Sequence, residues 1–135
     1  METINEEIEE FIKDYFNVYF SERNYEKVKT FLSPEIIVIG TGSHEFARTP
    51  EESLLLYKKD LEEVVTPIEY FNLEIITNVH SSLFSLVSGS FSLKGEVNDI
   101  PFEIPEIRYS FTISKVDEEW KILHLHISTS NINQE

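Results

Sequence analysis

Apolar residues recur three or four apart from the start of the chain. Ile4, Ile8, Phe11, Ile12, Tyr15, Phe16 and Tyr19 form one stripe, which predicts an amphipathic helix. Thr3 followed by Glu6 has the spacing of a capping box at its start. A shorter helix is expected after Asn24, with Tyr25, Val28, Phe31 and Leu32 facing inward and Pro34 closing it. The apolar run Ile36-Ile37-Val38-Ile39 reads as a short strand ended by Gly40, and a loop follows from Thr41 to Arg48. Thr49-Pro50-Glu51-Glu52 then opens a third helix, with Thr49 as N-cap, Pro50 at the first helical position and Glu52 completing a capping box. Leu54, Tyr57, Leu61 and Val64 mark its inward face, and Pro67 stops it.

From Ile68 the period changes to two. Four long strands are predicted, at 68–79, 83–95, 102–116 and 119–129. Their turns fall at Asn78-Val79-His80-Ser81, Glu96-Val97-Asn98-Asp99 and Asp117-Glu118-Glu119, which makes an antiparallel meander. Strands of this length must twist and bend, and Gly89 and Gly95 are the candidate bend points. The expected fold is therefore α+β, a long curved antiparallel sheet wrapped on three N-terminal helices. Helices on one face only make a cone whose mouth can hold a small molecule. The other face is left to solvent or to a second subunit.

Composition narrows the function classes. A chain of 135 residues with 41% apolar content is sized for one domain, spanning 1–135. Ten Phe, six Tyr and one Trp suit a core of large side chains around a lined cavity. Acidic residues number 25 against 11 basic, a net charge of −14, so neither nucleic acid nor an anionic membrane surface is expected as a partner. The absence of Cys removes disulfides, thiolate nucleophiles and Cys-based zinc sites. METINEEIEE has neither the basic nor the apolar region of a secretory signal, and no apolar run is long enough to span a membrane, so a cytoplasmic location is expected.

Three stretches carry a resemblance to a known family. They are Ile39-Gly40-Thr41-Gly42 with His44-Glu45, the strand Ile107-Arg108-Tyr109-Ser110-Phe111, and the last strand from Trp120 to Ser128. Together with the order of elements they resemble the SnoaL-like domains of the nuclear-transport-factor-2-like superfamily. The last stretch is also similar to the association domain of calcium/calmodulin-dependent protein kinase II. The resemblance implies a cone-shaped fold with a pocket, and a homodimer formed through the outer face of the sheet. It also implies a regulatory role, because similar domains are attached to bacterial signalling proteins.

The candidate chemistry is sparse. Trp120, Ile122, His124, His126 and Ser128 share one strand face, and two imidazoles so placed could form an H-x-H metal site; without a nearby carboxylate this is read as the outer face, and no metal is expected. Leu123, Leu125 and Ile127 are assigned to the inner face. Arg108, inside an apolar strand, is the candidate anchor for a carboxylate, as pocket arginines are in the kinase association domain. His44 and Arg48, with Glu45, are candidates for contacting a ligand at the cone mouth. Tyr15, Tyr57 and Tyr109 are the expected aromatic lining; Tyr19 and Asp60 belong to the same helices, and a Tyr with a carboxylic acid is an oxyanion-site pattern. Each catalytic template of the superfamily lacks its residue: Ile39 stands where ketosteroid-isomerase-like members carry an Asp, and Leu123 to Ser130 contains no acid. The reading is a non-catalytic homodimeric module, without a cofactor, binding a small apolar or carboxylate-bearing molecule. The alternative is a cofactor-free isomerase, dehydratase or cyclase using proton transfer, with Asp60, Glu45 or His126 as acid or base and no catalytic residue assigned.

Overall fold

The computed structural model describes residues 3–42 and 45–129. Helix α1 (Ile4–Phe16) starts with the predicted reciprocal cap: the Thr3 hydroxyl accepts from the Glu6 N–H at 3.1 Å, and the Glu6 carboxylate accepts from the Thr3 N–H at 3.4 Å. Ile8, Ile12, Tyr15 and Phe16 form its buried stripe. The stripe does not continue as α-helix through Tyr19. The chain loosens into a π-helical turn, Asn17–Glu22, which buries Val18 and Phe20 and ends at Arg23 in the left-handed conformation (φ 53°).

Asn24 caps α2 (Tyr25–Lys29), which is shorter than predicted. Leu32 and Pro34 belong instead to β1 (Leu32–Ile39), because Leu32 pairs with Ile122 on the last strand. Helix α3 (Pro50–Glu63) is capped by Thr49, whose hydroxyl accepts from the Glu52 N–H at 3.1 Å. The return bond of the predicted box is displaced by one residue, since Glu52 accepts from the Arg48 N–H. Ser53, fully buried, ties α3 to β1: its hydroxyl accepts from the Val38 N–H and donates to the Thr49 carbonyl, each at 3.1 Å.

The sheet contains β2 (Glu69–Phe71), β3 (Ile76–Ser81), β4 (Phe84–Val97), β5 (Ile100–Val116) and β6 (Glu119–Ser128). Its order is β1-β6-β5-β4, with β2 and β3 both on the far side of β4. Two expectations are corrected. The predicted strand 68–79 is split, because Asn72 takes a positive φ and the Glu74 backbone leaves the ladder to bond Ser90 across Gly89. The sheet is also mixed, since β1 lies parallel to β6 while every other pair is antiparallel. The turns sit at Ser82-Leu83, Asn98-Asp99 and Asp117-Glu118, the last two with positive φ at both residues. The first of these is displaced from its predicted place because β3 runs on to Ser81.

The concave face presents Val87, Phe91, Ile107, Tyr109, Phe111 and Ile113 to α1, with Phe16 set 4.8 Å from Phe91 and 5.5 Å from Tyr109 between ring centres. A bulge between Thr112 and Ile113 of β5 faces an extra residue, Leu123, in β6. The simple alternation of the last strand therefore breaks. Trp120, Ile122 and Leu125 are buried, Leu123 is the half-buried bulge residue, and His124 and His126 pair with Thr112 and Ser110 on the outer face. Leu123 is expected inside, and Trp120 and Ile122 outside with the histidines; the inserted residue turns Trp120 and Ile122 inward and takes Leu123 out of the alternation. A second bulge sits where Phe91 and Leu93 oppose Ile107 and Ile104, with Glu106 at φ 51°. Below it, residues 100–106 of β5 pair only with β4 among the described residues, and this margin carries Pro101 and Pro105. No helix among the described residues is long and apolar enough to cross a membrane.

Candidate functional site

The open end of the cone holds a cavity of about 270 Å³ between the π-helical turn, the end of α3, the loop after β1 and the concave sheet. Its walls are mainly apolar: Phe20, Ile68, Phe91, Phe102, Ile104 and Ile107 are among them. A smaller space of about 70 Å³ adjoins it deeper in, against Tyr15, Tyr57, Val38 and Leu125. Tyr19, Gly40, Glu45, Asp60 and Ile127 line both.

The polar groups of this mouth are supplied by the π-helical turn and α3. Tyr19 donates to Asp60 Oδ2 at 2.5 Å, and the Arg23 guanidinium meets the same oxygen at 3.1 Å. Arg23 also donates to the carbonyls of Val64, Tyr19 and Asp60, at 2.9, 3.2 and 3.0 Å. These bonds offset the cost of the left-handed backbone at Arg23 and clamp the π turn to the last turn of α3. Arg23 and Asp60 both border the cavity, but the Arg23 side chain is 1% exposed and that of Asp60 45%, so the carboxylate is the more open of the two. Tyr15 stacks on Tyr19 and shares a 2.7 Å hydrogen bond with Tyr57.

Burial raises the pKa values of the three tyrosines of the site. Tyr15 and Tyr19 lie well above the usual phenol range, first through burial, then through the neighbouring phenol Tyr57 for Tyr15 and the Asp60 carboxylate for Tyr19. Tyr57 is raised mainly by burial, with the hydrogen bond from Tyr15 opposing it. All three are neutral hydroxyls at ordinary pH, able to donate or accept but not to act as resting bases.

Of the residues singled out from sequence, Tyr15 and Tyr57 line the inner space. Tyr109 does not reach either cavity; its ring is in the core and its hydroxyl donates to the Glu74 carbonyl at 2.7 Å. Arg108 is exposed on the outer face, paired with Ser90 and Ser128, because its neighbours Ile107 and Tyr109 take the inward positions. It cannot anchor a guest in the cone from there. Arg48 is exposed and stacked over Phe46 at 4.6 Å, outside the cavity. His44 lies outside the described residues. Sequence reasoning missed Arg23, which nothing marked beyond its place after a helix; its role comes from a partner 37 residues away. Among the described residues no group of three or more His, Cys, Asp or Glu is placed to hold a metal ion.

The chain belongs to the SnoaL-like domain family, whose model matches residues 8–132. No curated protein matches it in sequence. Solved structures share its fold at low identity. An NTF2-like protein from Streptomyces avermitilis, provisionally called a dehydratase, is 13% identical with a TM-score of 0.78, covering 94% of this chain and 96% of that one. The kinase II hub homology domain of Chlamydomonas reinhardtii is 17% identical, with a TM-score of 0.72 over 96% of this chain and all of its own. An NTF2-like protein of unknown function from Pseudomonas putida is 11% identical, with a TM-score of 0.74 over 90% and 83% of the two chains.

Proposed function

We propose that this SnoaL-like chain is a non-catalytic module that holds a small, largely apolar molecule in the mouth of its cone and works as a homodimer. The observation that carries the binding reading is the cavity of about 270 Å³, walled by Phe, Ile and Val side chains and edged by Tyr19, Asp60 and Glu45. That volume lies near the small end of ligand sites, which limits the guest to a small molecule. The displaced Arg108 and the burial of Arg23 argue against a carboxylate guest. Native mass spectrometry of the purified protein beside Ile127→Trp, which fills both spaces, tests the reading. An organic mass carried by the wild type and lost from the variant supports it; equal retention by both overturns the cavity as the site.

The dimer reading rests on the outer face of the sheet. Its central rows run Ile39–His126–Ser110–Ser88–Ile76 and Ile37–His124–Thr112–Leu86–Asn78. Neither row carries a carboxylate, although the chain has 25. Aliphatic, hydroxyl and imidazole side chains without a carboxylate suit the same surface of a second copy, and the likeness to a hub homology domain supports that occupant.

A second reading is favoured by one contact, the 2.5 Å hydrogen bond from Tyr19 to a half-exposed Asp60 in the same cavity. That pair could serve proton transfer on a small cyclic substrate, in the manner of an isomerase, dehydratase or cyclase. Asp60→Asn distinguishes the two. Loss of turnover by about 100-fold with binding retained would establish the enzyme; a guest recovered unchanged after long incubation with wild type keeps the chain a binding module.

A further inference from the structure

The electrostatics of the cavity mouth are one-sided. One guanidinium reaches this end of the cone, Arg23, and four of its donor bonds are already made to Asp60, Tyr19 and Val64. Arg23 borders the cavity, but with its side chain 1% exposed and its donors already engaged it has little to offer a guest. Two carboxylates remain. Asp60 receives Tyr19 and Arg23 on Oδ2, and Oδ1 has no hydrogen-bond partner among the described residues. Glu45 accepts from the Gly42 N–H through Oε1 at 2.8 Å, and it has no ion-pair partner among the described residues. With Arg23 balancing Asp60, the described residues of the mouth carry about one uncompensated negative charge.

The walls add to the same preference. Tyr19, Phe20 and Phe102 present aromatic surface to the cavity, and a ring face attracts a cation while giving an apolar body somewhere to pack. The Arg23 guanidinium already sits 5.2 Å from the Tyr19 ring centre, an instance of that attraction within the site. At longer range, a net charge of −14 concentrates cations and repels anions at any opening in the surface.

Resting on the binding reading above, we infer that the cone selects a small organic cation, an amine carried on an apolar or aromatic body, whose ammonium is met at the mouth by Glu45 and the unshared oxygen of Asp60. The body occupies the apolar walls, and the amine exchanges its water for charge-assisted hydrogen bonds.

Three probes of one shape and different charge test this: benzylamine, benzyl alcohol and benzoate, titrated into the full chain at neutral pH and followed by NMR. The inference expects benzylamine to bind about tenfold more tightly than benzyl alcohol, as a charge-assisted hydrogen bond would give, and benzoate to be weakest. Glu45→Gln keeps an oxygen acceptor for Gly42; it is expected to bring benzylamine down to the affinity of benzyl alcohol and leave the alcohol unchanged. Glu10→Gln, an equal charge change on the exposed face of α1, is expected to leave all three unchanged. Equal binding of amine and alcohol, tighter binding of benzoate, or an equal response to Glu10→Gln and Glu45→Gln would overturn the cation preference while leaving the cavity as a binding site. Failure of all three probes to shift any cavity resonance would overturn the binding reading itself.

Discussion

Gly89 leaves no room for a side chain. A Cβ there would lie 1.9 Å from the Glu74 carbonyl oxygen, a backbone atom held by its own bonds to the sheet. Gly89→Ala is expected to lower the unfolding free energy by about 3 kcal/mol, read from the urea midpoint. At Gly95 the same methyl group meets only the edge of the Phe102 ring, at 3.1 Å, and Gly95→Ala is expected to cost less than about 1 kcal/mol. The tyrosines set a second residue-scale behaviour. Tyr15, Tyr19, Tyr57 and Tyr109 all have folded pKa values above the unperturbed 10.0, chiefly through burial. Below that value they are neutral in both states, and the stability they contribute is fully present. As pH rises beyond it, the unfolded chain ionises first and stability falls. An alkaline titration should show their phenolate absorbance appearing together with loss of circular dichroism, in one transition above pH 10.

At the scale of elements, the hold of α3 on β1 depends on two short side chains. Thr49→Ala removes a solvent-exposed cap and is expected to cost about 1 kcal/mol. Ser53→Ala leaves the Val38 N–H unpaired in a fully buried place and is expected to cost about 2 kcal/mol, so thermal melts should rank it below Thr49→Ala. The caps of α1 and α3, the apolar stripe of α1 and the hairpin at Asn98-Asp99 were legible in sequence because each is set by residues a few positions apart. The π-helical turn, the break at Asn72 and the bulge at Leu123 were not, because each answers to a distant partner. Asp60 holds Arg23, Ser90 holds the Glu74 backbone, and β5 sets the bulge in β6. The same reason sent Arg108 to the wrong side in the sequence reading. An Arg between apolar neighbours on a strand gives no sign of which face is buried. Tyr15, Tyr57 and Asp60 were readable because a helical stripe fixes its own inward side.

For the whole molecule, the proposed dimer joins two chains of net charge −14 each. Their mutual repulsion is screened by salt, so sedimentation equilibrium is expected to show tighter association as ionic strength rises. Ser110→Glu puts a carboxylate in the central row of the outer face and is expected to yield a folded monomer; a persisting dimer would place the interface elsewhere. The margin of β5 over residues 100–106 has a different consequence. In its register with β4, Ile100, Phe102 and Ile104 turn their N–H groups to the partner strand, leaving Pro101, Glu103 and Pro105 to face outward. Two of those three positions have no N–H to give, and the third carries a charge. The long arm thus offers an incoming strand almost nothing to grip, and a protein stored at high concentration is spared a seed for fibrils at its most extended edge.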